Sequence, residues 1–170
     1  PIDIWGVGTK LATGFGDPAL GGVYKLSMIT DKNGKWQHRM KLSEDLTKPS
    51  LTGIVQIRRF FDNNYYCGDI LYDTFIGIND NTRACCLENS KKISKIPETA
   101  KFSDLLIPVI RQGKQIYKPP QPDVIREYVR EEIKKFTPEV KALEQPSVYP
   151  VCMEKRLTEL RTHLVKSARK

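Results

Sequence analysis

Close to the start of the chain, the residues Gly6-Val7-Gly8-Thr9 follow a short apolar run, Ile2-Asp3-Ile4, that reads as a strand. Glycine has no Cβ, so a Gly-x-Gly-Thr turn lets backbone N–H groups approach an anion closely. The threonine hydroxyl adds one more donor, and a short helical turn beginning near Thr9 would add its positive end. Each hydrogen bond to a charged oxygen contributes about 1.5–3 kcal/mol. The chemistry expected of Gly6, Val7, Gly8 and Thr9 is therefore capture of a phosphate, with Val7 offering only its backbone. The same four residues also fit an ordinary tight turn, which the pattern alone favours.

Other reactive residue types give little. Cys67, Cys85, Cys86 and Cys152 are not spaced as zinc ligands, and His38 and His163 each stand without a Cys, Asp or Glu at ligand spacing. No metal site is expected, and the cysteines read as reduced thiols, mostly buried. The net charge of +8 is spread along the chain. Lys91, Lys92 and Lys95 fall in one loop, Arg58 and Arg59 in one strand, Lys134 and Lys135 on one helix. That scatter reads as a solvated surface. A basic β-rich module with Arg58, Arg59, Phe60, Tyr65 and Tyr66 as a stacking face for nucleic acid is the competing reading. Period-two alternation would split the two arginines across a sheet, which weighs against it.

The elements that must position the turn are mostly strands. Val23 to Ile29 and Trp36 to Leu42 flank Asn33-Gly34, a type I′ hairpin signal. Ile54 to Phe61 and Tyr65 to Tyr72 form a second hairpin around Asp62-Asn63-Asn64, and Phe75 to Ile78 and Arg83 to Leu87 are weaker strand candidates. The stretch 88–103 is polar and reads as a surface loop. Leu105 to Ile110 and Gly113 to Tyr117 suggest an edge hairpin, because Pro108 cannot donate to a central ladder. Pro122 and Asp123 then open a helix whose apolar stripe is Ile125, Val129, Ile133 and Phe136. A last helix is expected from about Cys152, with Leu157, Leu160, Leu164 and Ala168 facing the core. The order of elements implies an α+β arrangement. A membrane-spanning helix needs about eighteen apolar residues in a run, and none occurs.

Longer blocks carry a more specific signal. Gly6-Val7-Gly8-Thr9 is followed by Pro18-Ala19-Leu20-Gly21-Gly22-Val23-Tyr24-Lys25-Leu26, by Arg39-Met40-Lys41-Leu42-Ser43-Glu44-Asp45, and by Leu106-Ile107-Pro108-Val109-Ile110-Arg111-Gln112-Gly113-Lys114. A proline break, a helix, Tyr149-Pro150-Val151 and a terminal helix complete the order. Taken together, these blocks resemble the C-terminal region of the nicotinate phosphoribosyltransferase family over essentially all 170 residues.

That resemblance implies a fragment of a type II phosphoribosyltransferase: the end of an irregular β/α barrel, an antiparallel β-rich region and two C-terminal helices. It divides the chain into a last barrel strand with the phosphate turn (1–17), the β-rich region (18–118) and the C-terminal helices (119–170). The upstream barrel and N-terminal domain would lie outside the chain. The implied reaction joins nicotinate to phosphoribosyl pyrophosphate, giving nicotinate mononucleotide and pyrophosphate with ATP hydrolysis, a step in NAD biosynthesis. The resemblance further implies Mg2+ and ATP, a cytoplasmic homodimer and a phosphorylated histidine. It implies no membrane or nucleic-acid partner, and it assigns the 5′-phosphate of the substrate to Gly6, Gly8 and Thr9. The family's catalytic histidine and its nicotinate-holding tyrosine and arginine have no counterpart here, so no catalytic residue is expected in this chain and the fragment alone should not turn over. Related nicotinamide and quinolinate enzymes share the phosphate logic and differ in a base pocket that this chain does not contain.

Overall fold

Valine, isoleucine, tyrosine and phenylalanine dominate residues 55–73, the composition of a half-buried pleated surface. In the computed structural model these residues form the hairpin of β3 (Val55–Asp62) and β4 (Tyr65–Asp73). The structure describes residues 4, 6, 8–14, 22–42, 50–78, 83–86 and 93–168, without the side chains of 12, 83–86 and 93–95. Asn63 and Asn64 turn the hairpin with φ of 46° and 68°. This left-handed pair is what a two-residue type I′ loop requires, and asparagine tolerates it better than most residues.

The remaining elements, in chain order, are α1 (Thr9–Thr13), β1 (Met28–Thr30), β2 (Trp36–His38), β5 (Arg83–Cys86), β6 (Ile93–Lys95), β7 (Lys101–Asp104), β8 (Ile110–Arg111), β9 (Lys114–Gln115), α2 (Pro122–Lys134), β10 (Val151–Glu154) and α3 (Lys155–Ala168). A six-stranded sheet runs β6-β5-β10-β4-β3-β7. All its pairs are antiparallel except β10 with β4. Two further ladders, β1-β2 and β8-β9, stand apart from it. The α+β class expected from the sequence holds.

Several local expectations change. The last helix begins at Lys155, and Val151 to Glu154 form a central strand instead of its first turn. Buried Glu154 fits the junction because its carboxylate accepts the Arg156 and Leu157 N–H groups at 2.7 and 3.1 Å, capping α3. Within 88–103, read as a loop, β6 and β7 edge the sheet on either side. Phe75 to Ile78 is a turn closed by the Ile76 and Gly77 N–H groups on the Asp73 carbonyl. The Asn33-Gly34 hairpin closes as a type I turn with only Gly34 left-handed, at φ 77°. The Asp31 carboxylate receives the Asn33 and Lys35 N–H groups there, at 2.9 Å each. These bonds, that from Lys35 foremost, hold its pKa below the usual carboxylate range.

Ile70 and Cys152 form a buried cluster with Phe60, Ile78 and Ile96 packed against it, and Met153 and Leu157 are buried as well, where α3 packs on β10 and β5. Gly68 allows the one parallel pairing. It lies at a bulge in β4, and a Cβ there would come within 3.0 Å of the Pro150 carbonyl oxygen. That same oxygen accepts the Asp69 N–H at 2.9 Å, seating β10.

Candidate functional site

The N-terminal part of the candidate site is built from bare backbone. Among the described residues, a Cβ at Gly6 or Gly8 would meet nothing within 4 Å. Gly8 is the extended N-cap of α1, with no side-chain cap, and Thr9 is the first helical residue. The Leu11 N–H closes the turn on the Gly8 carbonyl at 3.0 Å, and the Thr13 hydroxyl bonds the Thr9 carbonyl at 2.9 Å. A helix of five residues has little macrodipole, so any anion there would be held by individual amides and the Thr9 hydroxyl. Val7 lies outside the described residues, as do 43–49, which include Ser43, Glu44 and Asp45. Lys10 is exposed on α1.

Downstream of α1, two extended stretches, Val23 to Leu26 and Arg39 to Lys41, line an open groove of about 500 Å³. Lys25, Arg39 and Lys41 bring three positive charges to it. Both stretches belong to the family-like blocks and flank one hairpin.

The hairpin of β1 and β2 is fastened to the sheet by polar groups. The Ser27 carbonyl accepts N–H groups from Arg39 at 2.8 Å and Gly53 at 3.2 Å, and the Thr52 hydroxyl at 3.2 Å. His38 Nε2 lies 2.6 Å from Asp73 Oδ2, whose carboxylate is fully buried and also accepts the Phe75 N–H at 2.9 Å. Gly53, at φ 94°, is required there. A Cβ would sit 2.3 Å from Asp73 Oδ2. His38 is therefore a clamp between hairpin and sheet, a role that no local sequence signal announces.

The proposed stacking face does not assemble. Arg58 faces Asp104, directly across on β7, with two hydrogen bonds of 2.8 and 3.0 Å, and lies 4.0 Å over the Phe102 ring. Arg59 faces Asp69, directly across on β4, at 2.8 and 2.7 Å, and lies 4.6 Å over the Tyr66 ring. The Arg58 bonds come first among the causes that hold the Asp104 carboxyl below its usual range. Both cations are neutralised by forked carboxylate pairing, which removes the charge that a phosphate backbone would need.

Among the described residues there is no group of three His, Cys, Asp or Glu side chains able to hold a metal ion. Asp69, Asp73 and Asp104 each already serve an arginine or histidine. The described residues thus offer no donor set for an Mg2+ ion. No helix among the described residues is long and apolar enough to cross a membrane.

The sequence profile of the nicotinate phosphoribosyltransferase C-terminal domain matches residues 56–161. Nicotinate phosphoribosyltransferase of Bacillus subtilis is 33% identical over 98% of this chain and 35% of its own length. The Mycobacterium tuberculosis nicotinate phosphoribosyltransferase pncB2 is 30% identical over 92% of the chain and 28% of its own. The crystal structure of human nicotinic acid phosphoribosyltransferase shares the fold at a TM-score of 0.62 and 21% identity, covering 86% of this chain and 27% of that one. The chain spans about a third of the length of the curated relatives it matches.

Proposed function

The chain belongs to the nicotinate phosphoribosyltransferase family, and on that premise we propose that it works as the C-terminal part of an enzyme making nicotinate mononucleotide. In that reaction the pyridine nitrogen of nicotinate bonds to C1′ of phosphoribosyl pyrophosphate as the C1′–oxygen bond to pyrophosphate breaks. This chain's contribution is to hold the far end of the sugar. Gly6 and Gly8 present open backbone, Thr9 adds its hydroxyl, and the 5′-phosphate sits against them. The observation that carries this reading is that no described residue crowds either glycine, in a motif that the family-like blocks follow in order. The base pocket and the catalytic histidine belong to the upstream part. Coupling to ATP and Mg2+, assembly as a cytoplasmic homodimer, and closure of the barrel by the first residues are further parts of the proposal.

The test uses the full-length enzyme carrying this C-terminal region. Thr9→Ala is expected to raise KM for phosphoribosyl pyrophosphate about 10- to 100-fold, the loss of one charge-assisted hydrogen bond. The KM for nicotinate should not move. An unchanged KM for phosphoribosyl pyrophosphate would remove Thr9 from the phosphate site.

A further inference from the structure

The hairpin of β1 and β2 has two unlike faces. Met28 pairs directly with His38, so the two share the face turned to the sheet, where Met28 is buried and His38 half-buried. The Arg39 N–H on the Ser27 carbonyl carries the pairing one step further. Lys25 lies two residues before Ser27, as Lys41 lies two after Arg39. Alternation therefore puts Lys25, Arg39 and Lys41 on the other face, at the groove. All three are exposed, and among the described residues none of them meets a carboxylate. Like charges gathered on one face repel each other until an anion lies between them.

Little apolar burial holds this arrangement. Each strand has three residues, and of the six only Met28 is buried. Strands so short and so weakly anchored specify their register poorly. The demanding group beneath them is the fully buried Asp73 carboxylate, which would be costly to leave without a partner. The Phe75 N–H gives it one bond at 2.9 Å, and His38 Nε2 stands 2.6 Å from Oδ2. Arg39 is the next residue along the chain. Its guanidinium bonds the Gln37 side chain and the His38 carbonyl on the groove side. A slip of one residue in β2 would exchange the faces and carry Arg39 inward to Asp73.

We propose that His38 is a positioning residue for the polyanionic substrate: by satisfying Asp73 it keeps the neighbouring Arg39 in the groove. This rests on the functional reading above, which supplies phosphoribosyl pyrophosphate as that polyanion. His38 itself faces the sheet and acts only through the cation beside it.

Initial rates of the full-length enzyme carrying this C-terminal region test the assignment, with phosphoribosyl pyrophosphate and nicotinate varied in turn. His38→Ala is expected to raise KM for phosphoribosyl pyrophosphate about tenfold, while kcat and the KM for nicotinate stay within about twofold. His38→Gln keeps an N–H donor at similar reach and should bring that KM back to within about threefold of the unmodified enzyme. Asp73→Asn combined with His38→Ala removes the buried charge. That spares the fold and leaves nothing to draw Arg39 inward, so KM should again return to within about threefold. A fall in kcat at unchanged KM makes His38 a structural clamp alone and overturns the proposal. A raised KM that neither glutamine nor the Asp73→Asn pair restores overturns it too. Both results leave the functional reading intact, because nicotinate mononucleotide is still made. An unmodified enzyme that makes none overturns the two together.

Discussion

The sheet with α3 and the N-terminal arm, residues 4–42, are held together by different means. In the sheet, Ile70 and Leu157 are wholly buried, and each cross-strand arginine meets a carboxylate. On the arm, Ile4, Leu11, Val23 and Tyr24 stand almost fully in solvent, and the attachment is polar: Ser27 to Gly53 and Thr52, His38 to Asp73. The residues proposed to bind phosphate all lie on the arm. Burial in this chain is therefore concentrated in one region and the proposed phosphate contacts in the other.

The largest effect should come from emptying the sheet's core. Leu157→Ala removes a fully buried side chain and is expected to destabilise the chain by about 2–5 kcal/mol in urea unfolding. Leu11→Ala, on the arm, should change stability by less than about 0.5 kcal/mol. Comparable losses at the two positions would erase the distinction between the regions.

Next comes the joint between them. Gly53→Ala forces a Cβ onto the Asp73 carboxylate in a left-handed conformation, at a cost of about 1–3 kcal/mol. His38→Ala leaves the buried Asp73 without its imidazole partner, a loss of about 1–3 kcal/mol. Hydrogen exchange locates the damage. Both changes should speed exchange in 28–40 more than in 151–157, and uniform acceleration would mean that the arm and the sheet unfold as one unit.

These contrasts follow what sequence could and could not reveal. The β3-β4 hairpin and the start of α2 at Pro122 were legible because alternation, turn residues and proline act over a few positions. Strand β10 was not. Val151 to Glu154 merges into the amphipathic pattern of α3, and its strand partner β4 lies about eighty residues upstream. The stripe on α2 was legible as a pattern, but which body it faces is not written in its period. Of the candidate site, the glycine turn was visible as a motif. The His38–Asp73 clamp, between residues 35 positions apart, had no local trace.

The smallest predicted effect concerns pH and belongs to the sheet alone. Burial, reinforced by the Asp69 carboxylate 2.9 Å from its hydroxyl, raises the Tyr149 phenol well above its ordinary value. A raised value means that folding favours the neutral phenol. Its contribution is complete below the unfolded pKa of about 10 and is lost as pH climbs toward the folded value. Urea unfolding should show stability falling above about pH 10, and Tyr149→Phe should flatten part of that slope because phenylalanine has no proton to lose. Phenylalanine keeps the edge-on contact with Phe136, so the variant isolates the hydroxyl. An identical slope in the variant would place the alkaline sensitivity elsewhere. Hydrogen exchange sharpens the comparison: above about pH 10 the protection lost first should be that of β4, which contains Asp69, and β10, which follows Tyr149, ahead of that of residues 28–40.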